Sequence, residues 1–309
     1  MKYSVVIPVY NEQEVLPLSY DRLKKVMDSL CDYELIFVDD GSRDNSLNLL
    51  RALAEKDNNV RVISFSRNFG HQEAVSAGMA ASSGSAVIII DCDLQDPPEL
   101  IPQMIEKWQA GADIVYGRRL KRKGETVFKK SSARVYYKML NVLGGQYIPA
   151  NTGDFRLIDR KVCDALKLMP ERNRFLRGMA AWAGFHAEPL DFIREERAAG
   201  QTKYSARKML KLAGNGITAF SNKPLRMPLL IGMVLGLLSL TYFVFGIVFV
   251  FVRNWPVTHV LFAAVFLLLA ALFIILGIFG LYLGRIYDEA KARPLYIIKE
   301  KINIDTEEP

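Results

Sequence analysis

The sequence predicts an α/β protein in which a domain built on a mostly parallel sheet is followed by a pair of membrane-spanning helices. In the first two hundred or so residues, short β-branched runs alternate with segments of helical length, a pattern typical of βαβ units. Nearer the C-terminus, two long stretches carry no charged residue. At 309 residues, the chain is long enough for one large domain or two smaller ones.

The alternating part contains five predicted strands. Their nearly continuous apolar runs are typical of strands that helices cover on both faces. The strands are predicted at Tyr3–Val9, Glu34–Asp39, Val60–Ser66, Ala86–Asp91 and Asp113–Tyr116. The helices are predicted at Glu12–Leu30, Arg43–Lys56, His71–Ser82 and Glu99–Ala110. Because ligands of such sheets bind beyond the carboxyl ends of the strands, we expect functional residues directly after each run.

The two uncharged segments are predicted to cross a membrane as a helical hairpin. Leu229–Val252 would span roughly 36 Å as a helix, enough to cross the hydrocarbon core of a bilayer. Leu261–Leu283 is of similar length. Lysines and arginines flank the hairpin on the sides of the two chain ends, whereas only Arg253 lies in the connecting loop. The positive-inside rule therefore places both termini in the cytoplasm and the protein in the cytoplasmic membrane.

Four parts follow from these assignments. They are an α/β domain over residues 1–204, a juxtamembrane amphipathic helix over 205–224, the hairpin over 225–284 and a basic cytosolic tail over 285–309. An ordinary domain helix is the alternative for 205–224. The formal net charge is +7, but basic residues beside apolar spans more often face anionic lipid than nucleic acid, and no nucleic-acid motif occurs.

Cysteine usage and the N-terminus also favour a cytosolic domain. Cys31, Cys92 and Cys163 are scattered and odd in number, without the spacing of metal ligands, so we expect reduced thiols. The apolar run Val5–Val9 is too short for a signal peptide, and charges follow it at once.

Crowded carboxylates follow the fourth predicted strand, in the stretch AVIIIDCDLQDPPEL. Asp91, Asp93 and Asp96 would raise one another's pKa unless a cation neutralised them. Asp91 and Asp93 are two residues apart and face the same side of an extended chain, while Cys92 faces the core. Oxygen ligands of this kind suit Mg²⁺ or Mn²⁺, which typically take one or two carboxylates plus phosphate oxygens of a substrate. An exposed acidic turn is the alternative.

Polar residues end the other strands as well, in PVYNE, DDGSRDNS and SRNFG. All of them would meet the carboxylates at one edge of a parallel sheet. Taken alone, DDGS is equally a turn followed by a helix cap from Ser42 or Asp44. Neither GxGxxG nor GxxxxGK[ST] occurs, so neither a dinucleotide site nor a P-loop is indicated.

These motifs, in this order, resemble those of the family 2 glycosyltransferases of the GT-A type. NTGDFRLIDRKV, RFLRGMAAWAG and RAAGQTKYS, followed by two apolar spans, narrow the resemblance to polyprenyl-phosphate glycosyltransferases. That group includes bactoprenol glucosyltransferases and dolichol-phosphate mannose synthase. The resemblance covers essentially the whole chain and implies a GT-A, Rossmann-like sheet.

The resemblance also implies roles for individual residues. Asp91-Cys92-Asp93 matches the DXD motif, in which Asp93 and Gln95 would hold Mg²⁺ or Mn²⁺ and Asp91 would lie alongside, near the ribose or diphosphate. The nucleotide base and ribose would be cradled by Pro8, Tyr10, Glu12 and Asp40. Two departures concern these contacts: many relatives have Asn in place of Asp39 and Lys-Glu in place of His71-Gln72.

The implied reaction is an inverting transfer of one sugar from a nucleotide diphosphate sugar to a lipid monophosphate. Asp154 matches the family's candidate base. A phosphate monoester is largely ionised at neutral pH and hardly needs one, so we prefer an orienting role for Asp154. Arg118 and Arg134 would offset the repulsion between acceptor and donor phosphates. Lys203 and Tyr204 would close over the diphosphate, and Arg197 of the same segment is assigned to the nucleotide sugar.

UDP-glucose is the first choice of donor, with UDP-N-acetylhexosamine and an aminoarabinose donor as alternatives. Undecaprenyl phosphate is the expected acceptor, and assembly into a homo-oligomer stays open. Two other classes are alternatives to this enzyme: a processive polysaccharide synthase and a non-catalytic membrane scaffold. The synthase would carry a Gln-x-x-Arg-Trp motif and more spans, which the sequence lacks, and the scaffold would be favoured by loss of an acid from the DXD motif.

Overall fold

The computed structural model describes residues 1–30, 32–120, 152–172, 174–193 and 257–304, together with positions 234, 237, 238 and 241. Within them, eight strands form one sheet in the order β7-β5-β6-β4-β1-β2-β3-β8. The strands are β1 Tyr3–Val9, β2 Tyr33–Asp39, β3 Val60–Phe65, β4 Ala86–Ile89, β5 Ile114–Arg119, β6 Thr152–Asp159, β7 Ala187–Phe192 and β8 Ile298–Ile302. The α-helices are α1 Leu16–Met27, α2 Ser46–Lys56, α3 His71–Ala81, α4 Ile101–Gln109, α5 Arg160–Lys167, α6 Leu176–Trp182 and α7 Val257–Ala290.

The centre of the sheet is parallel, and its margins are mixed. β4, β1, β2 and β3 run parallel, as the alternating pattern predicted. β6 lies antiparallel between β4 and β5, β7 runs parallel to β5, and β8 is antiparallel to β3. The α/β, GT-A-like class is therefore confirmed, with a mixed sheet in which four of seven strand pairings are parallel.

Burial explains why the central strands read as apolar runs. Every residue of β1 and β2 is buried, because helices cover both faces of these strands. Gly78 allows α3 to approach β1 closely: a methyl group at this position would lie 2.3 Å from Cγ1 of Val6. The packed sheet thus holds its carboxyl ends, and the loops that follow them, on a rigid base.

The predicted strands and helices agree with the observed ones apart from their ends. α1 begins at Leu16 instead of Glu12, because the backbone of residues 11–13 is bound to the loop before α2. A single 3₁₀ turn, Pro98–Leu100, precedes α4. β6, β7 and β8 were not predicted as strands.

The C-terminal part differs from the prediction in one respect. Residues 285–309 were expected to form a basic tail, but Ile298–Ile302 adds β8 to the sheet, and the Tyr296 ring stacks on Phe65 with 4.9 Å between centroids. Apolar side chains contribute to this pairing: Tyr296, Ile298 and Ile304 pack against the cluster that contains Phe65. Glu300, at an alternate position of the same segment, forms an ion pair with Arg51.

The predicted hairpin is covered only in part. The segment 261–283 lies within α7, whereas the amphipathic helix 205–224 and almost all of 229–252 lie outside the described residues. Among the residues that the structure describes, no helix combines the length and apolar character needed to cross a membrane. The hairpin is therefore not confirmed.

Candidate active site

The loops that follow β1 and β2 are bound to each other by short hydrogen bonds. The backbone N–H of Asn11 donates to Ser42 Oγ at 2.9 Å, and the Asn11 side chain accepts from the N–H of Arg43 at 2.8 Å. The N–H of Glu12 donates to Ser46 Oγ at 3.0 Å. Asn11 takes a left-handed backbone conformation, with φ +53°, which asparagine tolerates better than most residues. PVYNE and DDGSRDNS thus form one wall of a crevice, with Pro8 buried and Tyr10 and Glu12 partly exposed.

Asp40 faces inward and supports the loop between β3 and α3. Its carboxylate accepts the backbone N–H groups of Phe69 at 2.7 Å and Gly70 at 3.0 Å, and the Asn68 amide donates to it at 2.7 Å. Burial, which outweighs these bonds, raises the pKa of Asp40. The structure shows Asp40 holding SRNFG at the start of α3, and its contact to the base or ribose stays a prediction.

The DXD loop begins where β4 ends. Cys92 is buried in the core, while Asp91 and Asp93 are partly exposed, as their alternation predicted. Leu94 has φ +58°, and the turn that it makes lets the N–H of Gln95 donate to Asp93 Oδ1 at 3.1 Å. Asp96, three residues beyond Asp93, is fully buried. The loop is therefore anchored at Cys92 and Asp96 and presents Asp91, Asp93 and Gln95 to the crevice.

Two adjacent arginines at the end of β5 have different partners, because neighbouring residues of a strand point to opposite faces. Arg119 is buried, and its Nη2 lies 3.2 Å from Asp96 Oδ2. Arg118 is partly exposed and binds Asp191 of β7 through two hydrogen bonds of 2.5 and 2.7 Å. Arg118 was predicted to contact phosphate, yet Arg119 is the one that reaches the DXD loop.

Asp154 lies at the start of β6 among three cationic side chains. Its Oδ2 is 3.3 Å from His71 Nε2, its Oδ1 is 3.1 Å from Arg177 Nε, and Arg156 Nη2 lies 3.9 Å from Oδ1. His71 Nε2 also lies 3.7 Å from Asp91 Oδ1. His71 thus connects the DXD loop to Asp154, although α3, β4 and β6 are far apart in the sequence.

This cluster shifts the pKa values of its members in opposite directions. Burial alone would raise the pKa of Asp154, but Arg177 and His71 outweigh it and hold that pKa well below its usual range. Burial and the neighbouring carboxylates raise the pKa of Asp91 to about 6. Burial works against the His71 charge, yet Asp154 and Asp91 raise the His71 pKa to about 9. At neutral pH, Asp154 is an anion and His71 a cation.

The donor set at the end of β4 fits a divalent cation that also binds substrate oxygens. In the described part of the chain, no group of three or more His, Cys, Asp and Glu residues is arranged as a metal site by itself. Mg²⁺ in phosphate-processing sites, however, commonly takes only one or two carboxylates from the protein. Asp91 Oδ1 is buried without a hydrogen bond, and Asp93 and Gln95 add hard oxygen atoms beside it.

Several predicted site residues cannot be placed. Arg134, Arg197, Lys203 and Tyr204 lie outside the described residues. Conversely, four residues of the observed cluster were not predicted as site residues: His71, Arg119, Arg156 and Arg177. The sequence offered two signals for them: His71-Gln72 replaces the Lys-Glu of many relatives, and the motif RFLRG contains Arg177.

A GT-A-like sheet with a DXD carboxylate pair at the end of β4 defines a glycosyltransferase. More narrowly, the chain belongs to glycosyl transferase family 2, whose family model, "Glycosyl transferase family 2", matches residues 4–167. It is 48% identical to the uncharacterized glycosyltransferase YkcC of Bacillus subtilis over 99% of this chain and 95% of that one. It is 41% identical to the bactoprenol glucosyl transferase of Shigella phage SfV, over 97% and 99% of the two chains. A prophage bactoprenol glucosyl transferase homolog of Escherichia coli is 42% identical over the same shares.

Proposed function

We propose that the protein transfers a sugar from a nucleotide diphosphate sugar, UDP-glucose as the first choice, to undecaprenyl phosphate at the cytoplasmic face of the membrane. Support for the acceptor and the sugar comes from relatives named bactoprenol glucosyl transferase, which align along nearly their full length. The observation that carries the proposal is that His71 connects one DXD carboxylate, Asp91, to Asp154.

Each side of this cluster suits one half of the reaction. On the donor side, Asp91, Asp93 and Gln95 would hold Mg²⁺ or Mn²⁺, which when bound would neutralise charge on the departing nucleoside diphosphate. On the other side, Asp154 is a fixed anion that can accept hydrogen bonds from sugar hydroxyls. His71 separates the two carboxylates and reduces their mutual repulsion.

The acceptor itself explains why Asp154 need not remove a proton. The second pKa of a phosphate monoester is about 6, so the attacking oxygen is already ionised at neutral pH. A carboxylate whose pKa lies well below the usual range is also a poor base. Asp154 therefore orients the sugar or the acceptor, and the inversion follows from direct attack by phosphate oxygen on the anomeric carbon.

A membrane location follows from the sequence and is compatible with the position of β8. The uncharged segments 229–252 and 261–283 remain the proposed hairpin, and 205–224 the proposed surface helix. The chain after α7 returns to pair with β3, so the tail lies on the same side as the catalytic sheet. A helical hairpin before the tail would return the chain to the side of the membrane on which the catalytic sheet lies. The basic residues that flank the hairpin favour the cytoplasm as that side.

The donor is the least constrained part of the proposal. UDP-N-acetylhexosamine and an aminoarabinose donor are alternatives for the same site, because a pocket fixes the sugar through contacts that no motif specifies. The test is a panel of nucleotide sugars incubated with the purified full chain, undecaprenyl phosphate in detergent, and Mg²⁺ or Mn²⁺. Release of nucleoside diphosphate that requires the lipid phosphate supports the proposal. Release that is the same without the lipid phosphate, or no release from any donor, overturns it.

The metal is tested with a matched pair of variants. Asp93→Asn is expected to lower turnover by at least about 100-fold, because a charged ligand at the departing group is lost. Asp164→Asn, which changes an exposed carboxylate on α5, is the control and should retain activity. Full turnover of Asp93→Asn in EDTA would exclude the proposed metal site.

A further inference from the structure

Each carboxylate oxygen of Asp154 lies within ion-pair distance of a cationic side chain. His71 Nε2 lies 3.3 Å from Oδ2, and Arg177 Nε lies 3.1 Å from Oδ1. A carboxylate on a free side chain can rotate about χ2, but one that is fixed at each oxygen cannot turn without losing an ionic contact. The direction in which Asp154 presents its remaining lone pairs is therefore set by these two residues.

Arg177 is in turn positioned by the start of α6. Its Nη1 donates to the backbone carbonyl of Thr152 at 3.0 Å, which ties the guanidinium to β6 just before Asp154. The side-chain carbonyl of Gln72 accepts the N–H of Leu176 at 3.0 Å and so satisfies the first residue of α6. Gln72 follows His71 directly at the start of α3. This dipeptide therefore supplies one cation near Asp154, His71, and positions α6, the helix that carries the other cation, Arg177.

We propose that His71 and Arg177 are positioning residues that orient Asp154 toward the sugar or acceptor, with Gln72 supporting Arg177 through the start of α6. The inference rests on the orienting role of Asp154 in the proposed function. Residues that act in this way change the rate through geometry: a displacement of about 1 Å in a reacting group can cost about 100-fold. Neither residue is assigned to the nucleotide or the diphosphate of the donor, so the affinity for UDP-glucose should change little.

Single variants provide the first part of the test. In the full chain, Arg177→Met is expected to lower kcat by about 10- to 100-fold, with KM and calorimetric Kd for UDP-glucose changed by less than about twofold. Arg177→Lys keeps the charge but lacks the planar guanidinium, so it should recover part of the loss. Gln72→Ala should show a smaller loss of kcat with the same unchanged donor affinity.

A double-mutant cycle decides whether these residues act through Asp154. When Asp154→Asn has already removed the carboxylate charge, adding Arg177→Met or His71→Asn should lower the single-turnover rate by less than about threefold. Multiplicative losses in the double variants, or weaker UDP-glucose binding by Arg177→Met, would overturn the inference and assign Arg177 to the substrate. Melting temperatures identify a variant that fails to fold, in which case Arg177→Lys replaces Arg177→Met in the cycle.

Failure of the proposed function and failure of this inference give different results. A wild-type protein without lipid-dependent release of nucleoside diphosphate contradicts the function and, with it, the role given to Asp154. An active wild type whose variants behave additively contradicts only the positioning of Asp154 by His71 and Arg177.

Discussion

Arg119 and Asp96 form a buried ion pair between the end of β5 and the DXD loop, with 3.2 Å between Nη2 and Oδ2. Removing one member of a buried pair leaves the other charge unpaired, which typically costs about 3–5 kcal/mol. Arg119→Met is therefore expected to lower the free energy of unfolding by about 3–5 kcal/mol. Denaturant unfolding of the purified chain measures the change.

The neighbouring arginine is the matched control for this prediction. Arg118 pairs with Asp191 at the surface, where ion pairs contribute about 1 kcal/mol or less. Arg118→Met should therefore change stability by no more than that amount. Equal losses of stability from the two substitutions would show that the ion pair of Arg119 with Asp96 stabilises the fold no more than a surface pair does.

Gly41, which follows Asp40, is expected to tolerate no side chain. Its φ is +65°, and an added Cβ would lie 2.3 Å from the backbone carbon of Arg67. Gly184→Ala is an informative control, because Gly184 has φ +73° but nothing within 4 Å of the added atom. Gly184→Ala should cost about 1–2 kcal/mol of stability through backbone strain alone. Gly41→Ala should cost about 1–3 kcal/mol more, because the backbone beside SRNFG must move.

The aromatic contact at β8 predicts that the C-terminal segment stabilises the sheet. Tyr296 stacks on Phe65, which also meets Phe69 edge-on at 5.7 Å between centroids. Tyr296→Ala is expected to lower the free energy of unfolding by about 2–4 kcal/mol, since a large packed ring is lost. Ile297→Ala changes the adjacent exposed side chain and should cost less than about 1 kcal/mol. Similar values for both variants would contradict the packing role of Tyr296.

Asp57 gives a pH-dependent contribution to stability. Burial would raise its pKa, but hydrogen bonds from Lys24, the N–H of Asn59 and Tyr20 outweigh burial and lower it. A carboxylate with a lowered pKa in the folded state stabilises the fold above its unfolded pKa of about 3.9 and loses that contribution as pH falls.

The Asp57→Asn variant should therefore be less stable than the wild type at pH 7, by about 1 kcal/mol. The difference should shrink as the pH falls from about 4 through the lowered folded-state pKa, because the unfolded chain binds the proton first and the folded carboxylate binds it only at lower pH. Urea unfolding across this pH range measures it, with Asp21→Asn on the exposed face of α1 as the control. A difference that does not change with pH would contradict the charge dependence.

The central βαβ units were predictable because each depends on local patterning. Apolar runs predicted β1 to β4, and the polar residues after them lie beyond the carboxyl ends of these strands. β6 was missed because its sequence, TGDFRLID, contains charged residues whose partners lie in α3 and α6. β8 was missed because IKEKI reads as a charged tail unless the edge of β3 is known to lie beside it.

The site was predictable where sequence spacing alone decides which side chains share a face, as for Asp91 and Asp93. The site was not predictable where the topology of the sheet decides which side chains meet. Which of Arg118 and Arg119 turns toward Asp96 depends on the exact phase of β5. His71 and Arg177 meet at Asp154 only because β6 is inserted antiparallel beside β4. Residues that come together from distant segments of the chain produce no local sequence pattern from which their contacts could be predicted.

The pairing of β8 with β3 also bears on how the protein is made. Since β8 follows α7 in the chain, the edge of β3 stays open while the ribosome is still synthesising α7. An uncovered strand edge invites pairing with other chains. The nascent enzyme is thus vulnerable to aggregation until β8 has been synthesised, and a chain truncated before Ile298 would keep that vulnerability permanently.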